Sequence, residues 1–240
     1  MSETGARPRI KLPSLSQPGF DLVFGYVYTG LAVNLSLVVA NAPLTLALML
    51  VRDPAEAWPF FLMLSPTLAP SLAAAFAAFE ASNDGETSPF GTFWRAWRRC
   101  FRPAIVVGIG ACLVTLLVGV DLAATAARPV GALLAPVLLC VCAFAVAVTV
   151  LALTGLATAE QGARMSIVAL LKASVYLVAR RWVLSLVTLA ALAGICAFVL
   201  AQPVLGPLLG VAPLLFIAFS NARATLATPL RPSAKARVRA

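Results

Sequence analysis

The sequence predicts an all-α, polytopic helical membrane protein: six transmembrane helices forming three hairpins, with two amphipathic interfacial helices on the cytoplasmic side. Three observations carry this. Of 240 residues, 61% are hydrophobic and only 11% charged, against about 25% charged in a soluble domain, and mean hydropathy is +0.96. Apolar runs of about 20 residues, the length that crosses a bilayer core, recur along the chain. Sixteen of the eighteen Lys and Arg fall in four segments, 1–19, 80–103, 157–181 and the tail, while the alternate turns hold only Arg52 and Arg128. Cationic residues are retained on the cytoplasmic side during insertion, so both termini and both long loops belong there, which requires an even number of spans.

Residues 1–19 carry Arg7, Arg9 and Lys11 among Pro8, Pro13 and Pro18 and are expected to form a flexible arm; this polar start is not a signal peptide. The transmembrane domain takes 20–222. Its aromatic-rich entry at 20–28 leads into span one at 29–51, and a turn with Arg52, Asp53, Pro54 and Glu56 follows. Trp58, Phe60 and Phe61 open span two, which ends near Phe79. Span three covers 104–123, a short turn holds Arg128 and Pro129, and span four covers 130–157, long enough to tilt. Span five is 182–201; Gln202 and Pro203 turn into span six, which closes near Asn221. A basic tail, 223–240, reads as disordered.

The two interfacial helices precede spans three and five. In 88–102, Phe90, Phe93, Trp94, Trp97 and Phe101 form one helical stripe and Arg95, Arg98, Arg99 and Arg102 a second. Ser88 suits the N-cap and Pro89 the first helical position. Such a helix is expected at the membrane boundary, rings at headgroup depth and guanidinium groups toward lipid phosphates; the plain alternative is a linker helix with a solvated basic face. In 160–181 the apolar stripe is Ile167, Leu170, Leu171, Ser174, Leu177 and Val178, with Arg164, Lys172 and Arg180 elsewhere on the surface and Arg181 beside the next span. A weak internal repeat, Leu68-Ala69-Pro70, Leu134-Ala135-Pro136 and Val211-Ala212-Pro213, falls once in each even-numbered span.

The formal charge of +9 and pI ≈ 10.1 point to the lipid bilayer and its anionic headgroups, not to nucleic acid, because the arginines are scattered between apolar segments and no nucleic-acid motif occurs. There is no His, and the five cysteines form no C-x-x-C pair, so neither a metal site nor another cofactor is expected. No constellation suggests an enzyme. Polar side chains inside apolar spans are the clearest binding candidates: Asn34 and Asn41, seven residues apart with Thr45 nearby, then Asp121 and Asn221. Pro43 breaks the backbone ladder between Asn41 and Thr45 and frees carbonyls. Two readings stay open, asparagines as glue between helices and a polar path for a small solute facilitator or channel. Asp121 suits an interface position.

The order of these features resembles the YesL family of bacterial integral membrane proteins, a domain of unknown function. The similar pieces are Asn34-Leu35 followed by Pro43-Leu44-Thr45, the small-residue run from Pro70 to Phe79, the series Phe90, Phe93, Trp94, Trp97 and Phe101, and Lys172-Ala173 through Arg180-Arg181. The likeness covers about 20–225; the chain departs from the shorter family pattern by placing 46–65 between its Pro-Leu-Thr and its Pro-Thr-Leu-Ala-Pro. Family members are commonly encoded beside carbohydrate ABC importers and glycan-degrading enzymes. The resemblance therefore implies a non-catalytic accessory protein of the bacterial cytoplasmic membrane that partners sugar importer subunits, and it brings no catalytic residues. Nothing in the pattern opposes a homo-oligomer.

Overall fold

A computed structural model describes residues 17–51, 53, 56–159, 166–202 and 205–227. Most of the N-terminal arm, Arg52, Pro54, residues 160–165 with Arg164, Pro203 and the tail beyond 227 lie outside that range. The described residues are helical, with no strand among them: α1 (Gln17–Ala40), α2 (Ala42–Leu50), α3 (Trp58–Leu64), a 3-10 turn (Ser65–Thr67), α4 (Leu68–Asn83), α5 (Pro89–Thr125), α6 (Pro129–Thr158), α7 (Ile167–Arg180), α8 (Trp182–Ala201), a π-helical turn (Gly206–Gly210) and α9 (Val211–Ala227). Five stretches are long and apolar enough to cross a membrane: Trp58–Asn83, Pro89–Thr125, Val130–Thr158, Trp182–Ala201 and Gly206–Ala227. A sixth exists if α1 and α2, bent by 80° between Ala40 and Ala42, count as one broken span.

That bend falls inside the stretch read as span one, 29–51, at the place where Pro43 is expected to break the ladder. Pro43 has no N–H and its ring collides with the carbonyl four residues back, so the ladder stops there. Asn41 closes α1 through its N–H to Leu37 O (3.0 Å) and opens α2 by accepting from Thr45 N–H (2.9 Å). Two other prolines act similarly. Pro70 and Pro213 each stand third in their helix, directly after the 3-10 and the π turn; a missing N–H disturbs the turn before it and is harmless at a helix start. Pro136, the middle member of the repeat, lies inside an uninterrupted α6. Pro103 likewise fails to end α5, so the expected interfacial helix and span three are one helix of 37 residues, about 55 Å long.

α4 is the centre. Ala69, Pro70, Ser71 and every residue from Ala73 to Phe79 are buried, since small side chains let α1, α5, α6 and α9 approach from all sides. At Gly108 of α5, a methyl group would lie 2.7 Å from the Ala69 Cβ and 3.1 Å from Pro66 O. Phe76 stacks on Phe219 of α9 at 5.7 Å, and Phe79 meets Phe216 edge-on at 5.4 Å. Leu170, Ser174 and Val178 of α7 are buried as its stripe predicts, against α6. α8 is peripheral, burying only Thr188 and Ala191.

Candidate functional site

At the end of the bundle that carries the arginines, α4, α5 and α6 leave a cleft of about 300 Å³. It is lined by Glu80, Ala81 and Asp84 at the end of α4, by Glu86, by Thr92, Arg95, Ala96 and Arg99 of α5, and by Ala157 and Thr158 of α6, with Ala77 at its base. The local sequence shapes each wall. Gly85 has φ 86°; its N–H donates to Ser82 O (3.2 Å) while Glu86 N–H donates to Ala81 O (2.9 Å). This crossed pair closes α4 in the way a left-handed glycine allows. Pro89 then starts α5, and Thr92 Oγ1 lies 2.8 Å from Glu86 Oε1 and 3.0 Å from Ser88 O. The Glu86 carboxylate thereby sits by the positive N-terminal end of α5.

Charges on the walls are only partly matched. Arg95 Nη1 is 4.0 Å from Glu86 Oε1. Arg99 Nη2 donates to Ala157 O (3.2 Å), one of the free carbonyls at the end of α6. Glu80 Oε1 turns outward to Arg223 Nη2 of α9 at 2.8 Å, while its Oε2 is buried without a hydrogen-bond partner among the described residues. Asp84 forms no ion pair among them.

Residues 56–122 match a family model described as a protein of unknown function, DUF624. The match spans α3 to most of α5 and holds every lining residue of the cleft except Ala157 and Thr158. No curated protein and no solved structure matches the chain.

The intramembrane polar residues do not converge. Asn34 is buried and its Oδ1 accepts from Ala212 N–H (2.8 Å), tying α1 to α9 just past the π turn. Asn41 is buried at the bend; its Nδ2 donates to Leu37 O (2.9 Å) and its Oδ1 has no partner among the described residues. Thr45 Oγ1 returns to Asn41 O (3.1 Å). Asp121 is exposed on α5. Asn221 Nδ2 donates to Thr188 Oγ1 (2.8 Å) and to Leu184 O, joining α9 to α8.

The aromatic stripe departs from a row of rings at headgroup depth. Phe93 is fully buried, with Ala96 and Cys100 on the same face. Trp94 and Trp97 are half-buried, inside an edge-to-face series from Phe90 through Trp94 and Trp97 to Phe101. The alanines of α4 leave a groove that a large ring fills better than lipid does. The basic residues stay outside: Arg95, Arg98, Arg99, Arg102, Lys172 and Arg180 are exposed. Arg180 donates to Tyr176 OH (3.1 Å). Arg181 is half-buried and donates to Ala224 O (3.3 Å) in the last turn of α9.

Glu80, Asp84, Glu86, Thr92 and Arg223 are the site residues that the sequence pattern did not single out. Glu80 is the one acid in Trp58–Asn83, with Asp84 one turn on. That isolated pair was the available signal.

Proposed function

We propose that this chain is a non-catalytic accessory protein of the bacterial cytoplasmic membrane whose arginine-bearing end faces the cytoplasm and docks on a second membrane protein. The observation that supports it is the shared placement of two exposed basic surfaces. Arg95, Arg98 and Arg102 project from the first turns of α5, and Lys172 and Arg180 from α7. Both surfaces lie at one end, because Arg99 of α5 reaches the end of α6 and Leu170 of α7 packs beside Gly155 of α6. Exposed surface cations in this setting suit anionic headgroups and acidic partner surfaces.

The carbohydrate link rests on the resemblance to YesL-type proteins, in which the order of motifs carries the likeness. The partner is then the membrane subunit of a sugar ABC importer. Affinity capture of the full chain from native membranes tests this. Importer subunits are expected in the wild-type eluate and depleted when Arg95, Arg98 and Arg102 are changed to Gln. Unchanged sugar uptake in a deletion strain, with no importer subunit recovered, would refute it. A solute path along Asn34 and Asn41 has less support, since Asn34 Oδ1 is occupied by a backbone N–H of α9.

A further inference from the structure

We infer that the cleft between α4, α5 and α6 is a binding site for a small zwitterion, a ligand carrying an ammonium group and an oxyanion a few bonds apart. Its volume of about 300 Å³ equals roughly ten waters at about 30 Å³ each and falls at the lower end of small-molecule pockets. The walls are charged in two facing rows. Glu80 in the last turn of α4 and Asp84 just past its end form the acidic row, with Glu86 beyond; Arg95 and Arg99, one turn apart on α5, form the basic row.

Opposite rows this close would ordinarily close upon each other. Here the one ion pair across the gap among the described residues is Arg95 with Glu86, at 4.0 Å. Glu80 is drawn away by Arg223 and Arg99 by the Ala157 carbonyl, so the rows are held apart by their outer partners. A dipolar ligand bridges them. Its oxyanion takes the guanidinium donors of Arg95 and Arg99, and its ammonium takes the exposed Asp84 carboxylate, with the charge of Glu80 behind it. Three carboxylates line the cleft, matched by the two guanidinium groups of its far wall together with Arg223 outside it, so a ligand of single charge would leave one row unanswered. Thr92 and Thr158 add hydroxyls to the walls.

Phosphoethanolamine carries this chemistry in two forms, free in solution or as the headgroup of phosphatidylethanolamine. Calorimetric titration of the full chain in detergent with phosphoethanolamine is expected to show one saturable site, with inorganic phosphate and ethanolamine each at least about tenfold weaker. Asp84→Asn and Arg95→Gln change exposed side chains, and each is expected to weaken binding about tenfold without lowering the melting temperature. In a parallel arm, native mass spectrometry in detergent supplemented with phosphatidylethanolamine or phosphatidylglycerol is read for retained lipid. Retention of the former alone, lost in Asp84→Asn, assigns the lipid as the source; titration with the free compound alone assigns a soluble zwitterion. Absence of saturable binding in both arms, or binding that neither substitution changes, overturns the proposal.

Discussion

Glu80 and Arg223 meet at 2.8 Å, the first near the end of α4 and the second in α9. The pair brings a carboxylate of the central helix under the control of a cation that the sequence pattern placed in a disordered tail. Replacing Arg223 by Gln leaves Glu80 without its cation while Oε2 is already unpartnered. Both side chains keep solvent contact, 43% and 23% exposed, so the expected loss is near about 1 kcal/mol, not several. Adding Glu80→Gln is expected to recover much of it. Thermal unfolding of the four proteins in detergent forms the cycle, and simple additivity would count against coupling.

Asn34 and Asn41 are expected to differ sharply when each is changed to Leu. Asn34 serves the Ala212 N–H on another helix, and its loss should cost about 1–2 kcal/mol. Among the described residues the Asn41 side chain bonds only to Leu37 of the adjoining α1, and its Oδ1 has no partner, so its replacement should cost less than about 0.5 kcal/mol. Melting temperatures in one detergent compare them, and an equal loss would show that the bond to α9 is unimportant.

Two glycines two residues apart, and so on opposite faces of α5, give a test of the α4–α5 contact. Gly108→Ala places a methyl group 2.7 Å from the Ala69 Cβ, whereas nothing lies within 4 Å of the same position at Gly110. The first change is expected to cost about 1–3 kcal/mol. The second should be neutral or mildly stabilising through helix propensity. Both are measured as loss of monodisperse protein on heating.

The orientation proposed above predicts which turns a membrane-impermeant maleimide reaches in intact cells. In a background with the native cysteines replaced, Ala127→Cys should label without permeabilisation and Glu86→Cys only after it. The reverse pattern would invert the scheme.

Hydropathy and charge make the helical class, the apolar stretches and the stripe of α7 legible, because each depends on the periodicity of one segment. The 80° bend is half legible: Pro43 announces that the ladder fails, but the angle depends on where Asn41 redirects its bonds. Proline also misleads, since Pro103 breaks nothing in α5 and Pro136 nothing in α6. Phe93 reads as a lipid-facing ring and is buried, because an aromatic stripe looks alike whether its groove is made of lipid or of alanines. The cleft is the least legible feature. Glu80, Arg95 and Ala157 lie on three helices, and no spacing in the chain brings them together.

The alanine-lined α4 has little surface suited to acyl chains, and its neighbours are not all made when it leaves the ribosome. The rings that Phe76 and Phe79 rest against belong to α9, synthesised after four further helices. Assembly of this protein therefore completes only once α9 has been made, and a chain stalled before α9 presents the insertion and quality-control machinery with an uncovered central helix.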